Sequence, residues 1–466
     1  MDYQVKHIGQ HRGNARLWFE SMQLAEYGFE RGKRYDANYD DKQGVLLLTL
    51  AEDGKRIVSG KTKGDKTIPI IDINDNAVLG KLANEPAVKV RMIEGAIRIE
   101  RLSSAEKQHA RKNRLAKGLC TALAVAALCF GGGVMDNAAH AGMLDAGVKS
   151  ELVAAIEIDG DLLDHAAQFN PVVTSNTRLI AAPMQELVQD EEAMKELPKV
   201  DVFVTGIPCS GASISGRTKN AIDCAEEHPE VGHLVVPYLM LVNKFNPAVA
   251  VVECVVPYSN TVSALLMRQM FRDMGYDVHE VTLNSWDFGS LEERKRWFLV
   301  AATHGIPMDL SNLEPKLKRR PKLGDYLETD QSKLTWSKME GLKAKEIRDK
   351  EAGKGFRMQI VNEDTVKVGT IGKDYMKNRS TEPKVQHPTQ PEWLRLLTPQ
   401  EHARIKGFPA ACLGDLSATA AHQLLGQSVD TRPVRALFKR IAENLRAWEQ
   451  RDHVTRVAYS LGRATG

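Results

Sequence analysis

Asp201-Val202-Phe203-Val204-Thr205-Gly206-Ile207-Pro208-Cys209-Ser210 reads as a buried strand, a Gly-x-Pro turn and a thiol in the loop ahead of the next helix. An unbroken apolar run of strand length is the mark of a strand covered on both faces. A cysteine at the carboxyl end of such a strand lies where α/β sheets hold their ligands, near helix amides that favour a thiolate. Taken alone, the same residue also fits an inert core thiol, because cysteine is among the most buried residue types. The rest of the chain decides between the two.

Outward from this stretch, apolar runs of strand length recur at residues 152–156, 200–205, 248–252, 276–283 and 297–301. Helical patterns part them, as over residues 260–274, which open on a capping residue and close at Gly275. The alternation predicts an α/β fold, a mostly parallel, Rossmann-like sheet covered on both faces. Such sheets bind nucleotides at the strands' carboxyl ends. The first of those ends carries Leu128-Cys129-Phe130-Gly131-Gly132-Gly133-Val134, where glycines let a ligand approach the backbone. By itself this loop fits a flexible turn equally well. One strand later, Ile156-Glu157-Ile158-Asp159 sets an acid where a ribose hydroxyl needs an acceptor, and the pair favours a cofactor loop.

With 466 residues, 43% hydrophobic and 26% charged, the chain has room for about two to four domains with proper cores. Lys+Arg 63 against Asp+Glu 60 leaves a net charge of +3, so affinity for nucleic acid has to come from local basic patches. Cys120, Cys129, Cys209, Cys224, Cys254 and Cys412 form no C-x-x-C pair, which argues against a disulfide framework and a structural zinc site. No metal is expected, and a reducing cytoplasm fits. The apolar stretch 119–130 is too short to span a bilayer and no secretory leader pattern opens the chain, so no membrane association is expected.

Before residue 115 the character differs. Short strand-like runs at 45–50, 67–71, 88–93 and 96–99, parted by Asp53-Gly54 and Glu94-Gly95, predict a small, mainly β module over 1–115. Its segment from Arg16-Leu17-Trp18-Phe19 to Gly28-Phe29-Glu30-Arg31-Gly32-Lys33-Arg34, with the strand that follows, faintly resembles the swapped-hairpin DNA-binding domains of bacterial antitoxins. DNA binding and dimerisation are candidates for this module; a spacer role is equally open. Lys107, Arg111, Lys112, Arg114 and Lys117 read as a solvated basic helix face, with phosphate tracking as the alternative.

The order of these motifs resembles the DNA cytosine-C5 methyltransferase family, over about residues 120–305 and again 393–440. Gly131 and Gly133 fit its Phe-x-Gly-x-Gly loop, and Glu157 its ribose-binding acid. Pro208-Cys209 fits the Pro-Cys nucleophile loop, Glu253-Cys254-Val255 the Glu-Asn-Val position, and Arg294-Lys295-Arg296 the Gln-x-Arg-x-Arg position. The stretch Leu397-Thr398-Pro399-Gln400-Glu401-His402-Ala403-Arg404-Ile405-Lys406-Gly407-Phe408-Pro409 resembles Leu-Thr-x-x-Glu-x-Ala-Arg-Leu-Gln-Gly-Phe-Pro, and Gly426-Gln427-Ser428-Val429 resembles Gly-Asn-Ser-Val.

The resemblance implies methyl transfer from S-adenosylmethionine to carbon 5 of a cytosine extruded from double-stranded DNA. It implies Cys209 as nucleophile at carbon 6, Glu253 on the ring nitrogen, and Arg294 and Arg296 steadying the base. The implied cofactor site comprises Cys129, Phe130, Gly131, Gly133, Glu157, Ile158, Pro208, Gln427 and Ser428. Several positions depart from the pattern: Ala127 and Cys129 before the glycines, Pro183 near the adenine, Ser210, Cys254 and Glu292. A DNA-binding regulator with an inactive methylase domain and a transfer-RNA cytosine methylase are therefore the alternatives. The resemblance also divides the chain into a catalytic cofactor-binding domain over 116–305, a target-recognition region over 306–392 and a return of the catalytic domain over 393–466. In the second of these, Lys316, Lys318, Arg319, Arg320, Lys322, Gly355-Phe356-Arg357 and Tyr375-Met376-Lys377-Asn378-Arg379 mix basic and aromatic residues suited to phosphate contact and stacking. A charged, partly disordered insertion is the competing reading. Val434, Leu437, Phe438, Ile441, Leu445 and Trp448 recur at helical spacing and are expected to be core. Protection beside a restriction enzyme is one role such an enzyme would fill; oligomeric state is not legible.

Overall fold

Leu123–Leu128, an apolar run from end to end, forms β1 at the centre of a seven-stranded sheet. The other strands are β2 (Ser150–Glu157), β3 (Arg178–Ala181), β4 (Val202–Gly206), β5 (Val249–Cys254), β6 (Tyr276–Asn284) and β7 (Lys295–Thr303). Their order is β3-β2-β1-β4-β5-β7-β6. The first five are parallel, and β7 runs antiparallel to both β5 and β6. The computed structural model describes residues 2–332, 334–354, 357–379 and 381–464, so Gly355 and Phe356 of the basic-aromatic stretch lie outside the described residues.

Register is what builds the functional edge. Leu128 pairs with Ile156 and with Thr205, and Gly206 pairs with Glu253, so the residues that follow β1, β2 and β4 leave the sheet at one end, beside Glu253. Because β7 is antiparallel, its beginning rather than its end reaches that edge: Cys254 pairs with Trp297 and Glu253 with Phe298. Arg294 and Arg296 arrive there for that reason. Apolar side chains on the two faces of the sheet enter two separate cores. One holds Val125, Ala127, Val204 and Val251 with the helix Val134–Asp145 and the long helix Thr431–Ala464. The other holds Ala126, Phe203, Ala250 and Val252 with Tyr238, Phe245 and Phe271. The helical stripe from Val434 to Trp448 is buried throughout, as its spacing predicts.

The chain divides into two compact units, Met1–His109 and Ala110–Gly466. The first carries a six-stranded sheet and a four-stranded sheet around one core that includes Leu17, Phe19, Ile71, Val90 and Ile97. The basic segment 107–117 belongs to the helix Ser103–Cys120, and two of its cations correct the expectation of a solvated face. Arg111 is fully buried, lies 3.8 Å from the Tyr276 ring centroid and donates to the carbonyls of Met274 and Gly275. Arg114 donates to the carbonyls of Val200 and Asn246 and pairs with Asp201 at 3.2 Å. Spacing alone cannot tell a solvated cation from one that caps buried carbonyls, because both need a polar helix position.

Residues 306–392 are not merely a charged insertion. Gln359–Val361, Pro383–Gln386 and Leu394–Arg395 form a three-stranded sheet, and Leu323, Val361, Val368, Ile371, Tyr375 and Val385 share a core with Leu291, Leu397 and Ile405. Arg395 and Glu401, both buried, pair at 2.7 Å, and Thr398 and Glu401 close a capping box at the start of the helix Pro399–Lys406.

Candidate active site

Two loops leave the same sheet edge. The first follows β1. Cys129 has a positive φ of 55°, unusual for a residue with a side chain, and Gly131 and Gly133 follow at 55° and 72°. A side chain at Gly133 would lie 2.5 Å from the Phe130 ring and 2.6 Å from the Asn170 amide. At Gly131 a Cβ would meet nothing within 4 Å, so this glycine faces open space. Buried Asn170 donates to the carbonyls of Gly132 and Gly133 at 3.0 and 3.3 Å, and so ties the loop to the end of helix Gly160–Phe169. Glu157 binds the loop directly: Oε2 accepts from the Gly131 amide at 2.8 Å, and Oε1 accepts from the amides of Ile158 and Asp159.

Of the residues expected around a cofactor, Cys129, Phe130, Gly131, Gly133, Glu157 and Ile158 meet at this loop. Ile158 is exposed and Phe130 is buried against the glycines. Pro208 stands on the neighbouring loop after β4. Gln427 ends the helix Ala418–Gln427, whose Leu424 would be struck by a Cβ at Gly132, and the Ser428 hydroxyl donates to the Leu424 carbonyl. The stretch around Gln427 thus packs on the glycine loop from the far end of the sequence.

The second loop carries Cys209. Its carbonyl accepts from the amides of Ala212 and Ser213 at 3.0 and 2.9 Å, a tight turn that leaves Cys209 exposed. The sulfur itself is partly enclosed: desolvation, then the charge of Glu253, push the thiol above its ordinary range, while Arg296 and Arg294 pull it down. Glu253 is buried, and that burial raises its carboxyl against the opposing pull of Arg296, Arg294 and Lys406. Arg296 Nε lies 3.0 Å from Glu253 Oε1. Arg294 is buried, donating to the Gly426 carbonyl at 3.3 Å and facing Glu292 Oε1 at 3.5 Å. A thiol, a carboxyl group and two guanidinium groups therefore form one electrostatic unit at the sheet edge, beside an open glycine loop.

Glu292 and Lys406 are functional candidates that the sequence reading left out as a pair. Both are fully buried, and Lys406 Nζ lies 2.6 Å from Glu292 Oε2. The signal was present as two separate departures: Glu292 stands where the resembled pattern has Gln, and Lys406 stands where it has another Gln. Asn170 gave no such signal, being a lone polar residue at a helix end.

A parallel sheet with one antiparallel strand inserted next to its edge strand, a glycine loop after the first strand and a thiol after the fourth match the Rossmann-like methyltransferase fold. The model of the C-5 cytosine-specific DNA methylase family matches residues 136–443. The chain belongs to that family, whose reaction is methylation of DNA cytosine at carbon 5. Among its relatives, the Type II methyltransferase M1.ScrFI of Lactococcus lactis subsp. cremoris is 24% identical over 54% of this chain and 64% of its own length. The Type II methyltransferase M.HpaII of Haemophilus parainfluenzae is 24% identical over 55% of this chain and 75% of its own length. In fold, the chain is similar to the crystal structure of the S. pombe Dnmt2 methyltransferase, with a TM-score of 0.53 and 19% identity over 70% of this chain and 98% of that one. Among the described residues, no group of histidine, cysteine and acidic side chains could hold a metal ion, and no helix is long and apolar enough to cross a membrane.

Proposed function

We propose that this chain methylates cytosine at carbon 5 in double-stranded DNA, with S-adenosylmethionine as the methyl donor and Cys209 as the nucleophile. The observation that carries the reading is the convergence of Cys209, Glu253, Arg294 and Arg296 at one sheet edge, with the fields of the other three acting on the thiol. Carbon 5 of cytosine is a weak nucleophile until carbon 6 is attacked, and a soft thiolate performs that attack. The Cys209 sulfur forms a bond to carbon 6 while Glu253, held toward its protonated form by burial, donates to ring N3 and takes up the charge that develops there. Arg296 orients the Glu253 carboxyl, and both arginines favour the thiolate.

The residues around the glycine loop fit the donor. Gly131 faces open space, and Glu157 presents a carboxylate fixed by three backbone amides at the end of β2. When bound, S-adenosylmethionine supplies an electrophilic methyl group. Cys129, Phe130, Gly131, Gly133, Glu157, Ile158, Pro208, Gln427 and Ser428 are the residues assigned to hold it. A base inside a duplex hides carbon 6, so the substrate cytosine is extruded, and residues 306–392 are assigned to target recognition. The mainly β unit at the N-terminus is assigned to auxiliary DNA binding. The Type II methyltransferases among the relatives favour a modification role.

Trapping tests the reading. With S-adenosylmethionine and a pool of random-sequence duplexes bearing 5-fluorocytosine, a covalent protein–DNA adduct is expected at the Cys209 peptide. An intact, DNA-binding protein that forms no adduct would favour a regulator without catalysis.

A further inference from the structure

The two departures at residues 292 and 406 are complementary. Where the resembled pattern has Gln at both positions, this chain places a carboxylate and an ammonium group, 114 residues apart in sequence and 2.6 Å apart in space, both with no exposed side-chain surface. Stability alone is a poor reason for such a pair, because desolvating two ions offsets most of their attraction. Its surroundings suggest a better one. Glu292 Oε1 accepts from the Ile371 amide at 3.1 Å and faces Arg294 Nη1 at 3.5 Å. One carboxylate thus touches the 306–392 region, the helix ending at Lys406 and an active-site guanidinium group.

We infer that Glu292 and Lys406 are positioning residues that set the charge balance around Arg294: Lys406 neutralises most of Glu292, so Arg294 keeps a net positive field at the Cys209 sulfur while remaining anchored. The inference rests on the reading of Cys209 as nucleophile. Without Lys406, the whole charge of Glu292 would fall on Arg294 and cancel its effect on the thiol. Without Glu292, two cations would act unopposed. The other charged or titratable groups around the pair are Asp430, itself paired with Arg432 at 3.0 Å, and His402, which is buried and held neutral by desolvation and by Lys406. At the sulfur, the remaining groups are Glu253, Arg296 and the buried thiol of Cys254, which burial pushes well above its ordinary range.

The test follows alkylation of the Cys209 peptide by iodoacetamide against pH, resolved by mass spectrometry on the full chain without DNA or donor. Read at pH 7, below the value of Lys406, Glu292→Gln is expected to raise the alkylation rate and Lys406→Gln to lower it, each about threefold. The Glu292→Gln/Lys406→Gln variant is expected to return to the wild-type value. A purely structural pair would weaken the fold in both single variants without moving the pH 7 rate in opposite directions, and that result overturns the inference.

Because a lone buried charge can unfold a protein, a second measurement uses only folded, charge-conserving proteins. Lys406 is lowered to about 8, chiefly by burial, so its loss of a proton should oppose thiolate formation and flatten the wild-type curve. Lys406→Arg, which does not titrate, is expected to steepen it; equal slopes overturn the inference. Neither readout needs methyl transfer, so failure here leaves the 5-fluorocytosine result standing, and failure of trapping leaves this coupling measurable.

Discussion

The two loops at the sheet edge are built in opposite ways. The glycine loop is fastened by side chains from neighbouring elements, with Glu157 on the Gly131 amide and Asn170 on the carbonyls of Gly132 and Gly133. The nucleophile loop is shaped by its own backbone turn at Cys209, and its thiol is held toward the neutral form. Under the proposed assignment, the donor side of the site is formed in advance, while the thiol is held toward its unreactive form in the absence of substrate. That arrangement limits side reactions of the Cys209 sulfur, since the thiolate is the reactive species.

Removing the sulfur is the most severe way to separate the two sides. Cys209→Ser is expected to cut labelled-methyl transfer to DNA by at least ~10³-fold, with donor affinity and melting temperature unchanged. Donor binding that fell with the sulfur would mean that the loops are not independent. Next in size is Gly133→Val, whose side chain would collide with Phe130 and Asn170 at a positive φ. A loss of about 2–4 kcal/mol in stability and of measurable donor binding is expected by thermal melting and calorimetry.

A milder cut is Glu157→Gln, which keeps the size of the side chain but weakens the charged acceptor of Gly131. Donor Kd is expected to rise roughly tenfold by calorimetry, with the pH profile of Cys209 alkylation unmoved. A shifted profile would break the comparison, because it would tie the thiol to the donor loop. The smallest effect is in the native protein. Since desolvation raises the thiol above its ordinary pKa, the thiolate fraction at neutral pH lies below that of a free thiol and grows as pH rises through the shifted value. Alkylation of Cys209 at pH 7 should therefore be slower than that of a small-molecule thiol, and an equal or faster rate would show that the arginines outweigh burial.

Much of this site was legible in the chain itself. The strands ending before Cys129, at Glu157, before Cys209 and at Glu253 could be read because a fully buried strand leaves an unbroken apolar run. Arg111 and Arg114 were misread because a basic helix position looks the same whether it meets water or buried carbonyls. The fold of residues 306–392 was hidden by their composition: short strands at Val361 and Val385 share a core with Tyr375, Leu397 and Ile405, and no local pattern reports a core assembled across the sequence.

By itself, the sequence determined the α/β alternation, the glycine loop, and the thiol and acid at their strand ends, since these depend on runs of a few residues and on the period of a strand. Only the tertiary structure decided that β7 runs antiparallel and so delivers Arg294 and Arg296 beside Glu253, that Asn170 ties the glycine loop, and that Glu292 meets Lys406. Those facts join positions tens to more than a hundred residues apart. Packing and the electrostatics of burial select such contacts, and neither acts until the chain has folded.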